Sequence, residues 1–227
     1  MSASGSEEAM ASQSDVVAAV NAGDVEKTRA LLAESPALAS ARDERGVSAL
    51  MHAYYRGRKD IAELILNSRS DLDIFEAVAA GRAEAVSAML DRNPALAKSW
   101  SPDGFTPLHF AAFFGQQEIA RYLVRRGADV SAVSMNPMEV TPLHSAAAAH
   151  ATEIVRMLLE SGAPVNAKQH GGWTALHAAA NNGDTEMIKM LLQHGADLVM
   201  QNDDGKTPAN IAEMKGRADA LKLLSAA

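Results

Sequence analysis

The sequence predicts an all-α solenoid of about seven helix–turn–helix repeats with projecting turns, and three observations carry that prediction. Ala19, Ala53, Ala77, Ala111, Ala146, Ala179 and Ala212 each stand four residues ahead of Gly23, Gly57, Gly81, Gly115, His150, Gly183 and Gly216 in turn. Those seven partners are spaced 34, 24, 34, 35, 33 and 33 residues apart. This is the period of one supersecondary unit that buries its apolar face on copies of itself. Hydrophobic residues make up 48% of the chain and charged residues 22%, enough to bury a continuous core.

Each repeat begins with a short helix. Thr106, Thr141, Thr174 and Thr207 suit its N-cap, where a hydroxyl accepts from an orphan amide. Pro107, Pro142 and Pro208 follow at the first helical position, where a missing N–H is harmless. The next column is apolar (Val16, Leu50, Ile74, Leu108, Leu143, Leu176), with Ala209 last. The alanines lie three residues further on, on the same helical face, and let a neighbouring helix approach closely. Glycine then ends the helix. His150 takes that place once, histidine being among the residues that tolerate left-handed backbone.

A second helix follows with apolar pairs at Leu31-Leu32, Ile65-Leu66, Met89-Leu90, Leu123-Val124, Leu158-Leu159 and Leu191-Leu192. Gly127, Gly162 and Gly195 suit its C-terminal cap. The polar stretch to the next threonine, with Gly104, Gly172 and Gly205, reads as a tight turn projecting from the stack.

The segments TPLHFAA, TPLHSAA, TALHAAA, GADV and GAPVNA resemble the ankyrin repeat over roughly residues 14–227, after an expected disordered tail at 1–13. The resemblance implies paired antiparallel helices, turns at about a right angle to them, and a concave face that binds other proteins. It also implies a structural role for His109, His144 and His177, bonded to the backbone of the neighbouring turn. Stand-alone alanine-rich chains of this kind are similar to bacterial-type ankyrin proteins.

Departures from the period carry information. Ser35-Pro36-Ala37-Leu38 and Asn93-Pro94-Ala95-Leu96 replace the glycine turn in repeats one and three, and the matching positions lie 58 residues apart, as in a duplicated pair. Around LNSRSDLDIF (66–75) the period falls to 24, so one projecting turn is expected to be missing. SMNPMEV (134–140) lengthens another. Lys27 and Thr28 stand where other repeats carry apolar pairs, as on the polar outer face of a capping repeat.

The net charge of −7 opposes general affinity for nucleic acid or anionic membrane. The absence of cysteine excludes disulfides and thiolate zinc sites. MSASGSEEAMASQSD has no apolar core, so no secretory signal is read, and no run of 18 apolar residues occurs. A cytoplasmic protein is expected. Helices pack about 8–10 Å apart, so the column histidines are too far apart to share a zinc bound at about 2 Å. His52, one place out of that column, is expected on the open face, and His170 and His194 at exposed turns. Asp204-Gly205-Lys206-Thr207 mimics a phosphate loop, but Met200 stands where its first glycine is required. Glu118, Glu153 and Glu186 recur at repeat spacing and read as a solvated face. No catalytic, metal or cofactor site emerges, no small-molecule substrate is expected, and the chain reads as a non-enzyme.

Of ten aromatic residues, six fall between 100 and 122. Phe110 shares a column with His52, Glu76 and Ser145; Phe113 with Tyr55, Ala148, Asn181 and Met214; Phe114 with Arg56, Ala149, Asn182 and Lys215. Columns this polar are expected to be exposed. Phe105 and Trp173 share a turn column with Lys206, while Trp100 and Tyr122 are read as packing residues. The expected binding surface therefore comprises Phe105, Phe110, Phe113, Phe114 and Trp173, extended by Tyr55, Arg56, Asn181 and Asn182. It would take a partner protein on the concave face around repeats four to six, with a shallow pocket beside Phe113 and Phe114 left by the small Ala148 and Ala149. The alternatives are a structural or capping subunit of a larger complex, or a small-ligand or enzymatic groove at 67–73.

Overall fold

The structure, a computed structural model, describes residues 12–226. The expected tail lies outside these residues except at Ser12, whose hydroxyl caps the first helix, and Gln13, which opens it. The chain divides into two compact units, Met1–Glu76 and Ala77–Ala227.

The first unit contains α1 (Gln13–Ala22), α2 (Val25–Glu34), α3 (Ala49–Tyr55), α4 (Lys59–Ser68) and the start of α5 (Ile74–Ala79). Helix α1 packs on α3, and α2 on α4. Val16, Val20, Leu32, Leu50, Ile61 and Ile65 form the core between them. Pro36–Ser40 is a single 3-10 turn, so the proline variant of the repeat end replaces the glycine cap with a tighter helix. Thr28 is fully buried rather than part of a polar outer face, because its hydroxyl donates to the Asp24 carbonyl one turn back at 2.7 Å.

The second unit continues with α6 (Ala83–Arg92), α7 (Pro107–Phe113), α8 (Gln117–Arg125), α9 (Pro142–Ala148), α10 (Thr152–Glu160), α11 (Ala175–Asn182), α12 (Thr185–Gln193), α13 (Pro208–Met214) and α14 (Ala218–Ala226). The first helices form one row, α7 on α9 on α11 on α13, and the second helices form another, α6 to α14. Leu108, Leu143, Leu176, Leu123, Leu158 and Leu191 fill the space between the rows. All seven column alanines are at most 2% exposed. The residue ending each first helix has positive φ, including His150 at 56°, where histidine stands in for glycine.

Projecting turns are closed by backbone bonds from Asp43 to Val47, Ser101 to Phe105, Gln169 to Trp173 and Asn202 to Lys206, each with a second bond back from the turn glycine to the first residue. The lengthened turn closes from Ser134 to Val140 instead. In the second unit successive turns are tied edge to edge, with amides of Met135, His170 and Asp203 donating to carbonyls of Gly104, Met138 and Gly171.

At 69–73 no such turn forms. Arg69 fills the place: its guanidinium donates to the Glu76 carboxylate at 2.9 Å, to the Ala39 carbonyl at 3.3 Å, and to the Asp71 carbonyl. The Asp73 and Glu76 side chains each accept from the other's backbone amide, a reciprocal cap on α5. The Arg69 side chain is 7% exposed and that of Glu76 is 0%, so this is a buried ion pair occupying the space where a ligand groove was the alternative expectation. Removing one partner of such a pair strands the other charge and costs about 3–5 kcal/mol. Arg69→Ala is therefore expected to lower the unfolding free energy by about that amount in a urea titration, whereas replacing both residues with apolar ones of similar volume recovers most of the loss.

Candidate protein-binding face

The candidate face rests on a scaffold of histidines. Nδ1 of His109 accepts from the Thr106 amide at 3.2 Å, so the ring proton sits on Nε2, which donates to the Val140 carbonyl at 2.9 Å. His144 repeats the arrangement with Thr141 and the Ala167 carbonyl, and His177 with Thr174 and the Lys206 carbonyl. Each ring thus caps its own helix and fastens the next turn, as the resemblance implied. Asn210 performs only the capping half of the task, with Thr207. His52 does not lie on an open face; Nε2 pairs with Asp43 Oδ2 at 3.0 Å within its own turn.

The aromatic residues divide by exposure. Phe113 at the end of α7 is 47% exposed. Phe114 is half-buried, edge-to-face with Phe113 at 5.1 Å and stacked on Phe110 at 6.3 Å. Phe110 is only 3% exposed, contrary to the expectation from its column, and Phe105 meets it edge-on at 5.6 Å. In this column Glu76, Ser145 and Ile211 are buried as well, although Ala18 is exposed and His52 and Ala178 are half-buried, so polar members did not mark it as an exposed column. Glu76 is neutralised by Arg69, Ser145 is small, and Ile211 at the same position is itself buried. Phe110 is therefore the packed base of the cluster and Phe113 its exposed tip. Phe105 and Trp173 are half-buried at the turns, 5.8 and 5.7 Å from the rings of His109 and His177.

The remaining predicted residues sit nearby in sequence columns but have structural duties. The Asn182 amide donates to the Ala147 carbonyl of the preceding repeat at 3.2 Å, and Asn181 to Asn182. In the first unit, Tyr55 is 38% exposed and Arg56 donates to Asn21 at 2.8 Å. A cavity of about 400 Å³ exists near the small residues, but its walls are Gly115, Gln117, Ala149, His150 and Thr152 rather than the two phenylalanine rings. Sequence reasoning missed three exposed methionines. Met135 (68%) and Met138 (56%) lie on the lengthened turn, and Met214 (65%) occupies the column of Phe113. The extra turn length and the shared column were the signals available.

Glu118, Glu153 and Glu186 are exposed, with Arg156 bridging the last two. Among the described residues no group of three or more His, Cys, Asp or Glu side chains is placed to hold a metal ion, and no helix is long and apolar enough to cross a membrane.

A family model described as ankyrin repeats (3 copies) matches residues 74–169 and 163–227. The chain belongs to the ankyrin-repeat family. Ankyrin repeats are generally protein–protein interaction modules and typically non-catalytic. No curated protein matches the chain.

The histidine scaffold makes stability depend on pH. Burial pushes His109 down to about 4, and burial likewise lowers His144 and His177. The unfolded chain, with imidazoles titrating near 6.5, then takes up protons before the folded one. Stability is fully present above about pH 6.5 and falls as the pH drops toward 4, by up to about 1.4 kcal/mol per pH unit for His109, with His144 and His177 acting in the same direction. His109→Asn keeps an N-cap acceptor, as Asn210 does, but cannot titrate. Urea unfolding between about pH 7.5 and about pH 5 is expected to give a shallower dependence for this variant than for the wild type.

Proposed function

We propose that this chain binds a partner protein on the concave face around repeats four to six, with Phe113 as the central anchor. The observation that carries the reading is Phe113 itself, a phenylalanine 47% exposed on a short helix whose neighbouring ring, Phe110, is locked in the core. Exposed aromatics on rigid supports make hot spots, because little side-chain freedom remains to be lost on binding. Phe114 backs the anchor edge-on. Phe105, Trp173 and the exposed Met135 and Met138 extend the apolar surface along the turns, while Asn181 and Asn182 supply polar contacts and Ala148 and Ala149 room for an incoming side chain. Tyr55 and Arg56 offer the corresponding surface in the first unit. The mechanism is stoichiometric binding, without chemistry.

The test pairs affinity with stability. Affinity capture from the native host, followed by mass spectrometry, is expected to recover a partner with the wild type and lose it with the Phe113→Ala, Phe114→Ala double variant. With that partner in hand, Phe113→Ala alone is expected to weaken binding by about 2 kcal/mol or more in calorimetry. Its unfolding free energy should change far less than the roughly 3–5 kcal/mol expected for Phe110→Ala. Unchanged affinity in the Phe113 variant would overturn the reading.

A further inference from the structure

On the outer row, between α6 and α8, lies a groove of about 550 Å³ floored by Val86 and Ile119 and walled by Ala83, Ser87, Glu84 and Glu118. Its origin is legible in the repeat. Helix α6 carries Ala85, Ser87 and Ala88 where α8 carries Ile119, Arg121 and Tyr122, so one wall is lined with side chains too short to fill the crevice.

The corresponding pair of helices two repeats on carries an arginine at this place, its side chain 41% exposed. Between α10 and α12, Arg156 lies against Glu153 of its own helix at 3.6 Å and Glu186 of the next at 3.3 Å. Counted from the residue that ends each first helix, Ser87 is the equivalent of Arg156, Glu84 of Glu153, and Glu118 of Glu186. The α6–α8 groove therefore keeps both carboxylates of the clamp, Glu84 on α6 and Glu118 on α8, and lacks the guanidinium. The Ser87 hydroxyl turns back to the Glu84 carbonyl at 2.9 Å, and neither carboxylate has a cation within 4 Å among the described residues. Arg121 and Arg125 line the far end of the groove, where Lys189 and Gln193 stand in the occupied crevice, so a nearby cation is compatible with a clamped arginine.

We propose that the α6–α8 groove is a second docking site, which accepts an arginine side chain projecting from a partner protein. The guanidinium takes the place that Arg156 holds two repeats later, bridging Glu84 and Glu118, and its aliphatic stem lies along the apolar floor. The site is on the opposite row of helices from the one bearing Phe113 and works independently of it.

The test uses the full chain with acetyl-arginine amide as probe and its neutral isostere acetyl-citrulline amide as control, followed by backbone amide shifts. Arginine is expected to move amides at 84–87 and 117–122, and citrulline to leave them in place. Glu118→Gln should weaken the probe about two- to fivefold, as loss of an exposed pair does. Ser87→Arg should abolish the shifts by filling the groove from within, and raise the thermal midpoint by about 1–3 °C. In Ser87→Arg combined with Glu118→Gln that rise should shrink. Phe113→Ala should leave the probe shifts intact, which separates this site from the concave face. Equal shifts with citrulline, shifts spread evenly over all exposed glutamates, or persistence of the shifts in Ser87→Arg would overturn the proposal.

Discussion

Close approach of neighbouring first helices is the constraint on which the rest depends. The alanines at the contact are at most 2% exposed in every repeat, and a larger side chain at any of them would push adjacent helices apart. Only at that spacing does an imidazole on α7 reach the Val140 carbonyl of the following turn, and one on α9 the Ala167 carbonyl. The apolar column determines that helices pack; the alanine column determines how near, and thereby whether the polar bonds between repeats can form.

Those polar bonds give the turns a rigidity that loops of their composition would otherwise lack. Each histidine satisfies an orphan amide at its own helix start and a carbonyl in the next turn, and for His109 both bonds are buried. Backbone bonds between consecutive turns add a ladder along the same edge. Side chains on these turns are thus presented with little freedom left to lose, which suits a recognition surface.

Polar residues inside the stack follow the same economy of satisfied groups. Where a turn is absent, Arg69 supplies through one guanidinium the donors that a turn backbone would have supplied through several amides. Thr28 is self-satisfied on its own helix. On the surface the logic reverses. Arg156 clamps two carboxylates that belong to successive repeats, and Ser87 leaves the equivalent pair open. Repetition makes such an omission visible, because each position has its own precedents within one chain.

The sequence by itself determined the repeat, its helix pairs, the caps and the missing turn within 67–73, because these follow from local periodicity and from side chains acting a few residues away, whereas the role of the column histidines came from the family resemblance and rests on carbonyls in the next turn. Exposure was only partly legible. Phe113 and Phe110 are both phenylalanines in columns that elsewhere hold polar residues, yet one is 47% exposed and the other 3%. Column polarity misled for Phe110 because a glutamate can be internal when an arginine far from its column neutralises it, and no column records that pairing. Tertiary structure alone decided which ring is exposed and which is buried, that His52 turns to Asp43, and that Asn182 reaches back to the preceding repeat. Each of these depends on where a side chain ends relative to groups brought near by packing, and spacing along the chain does not encode that distance.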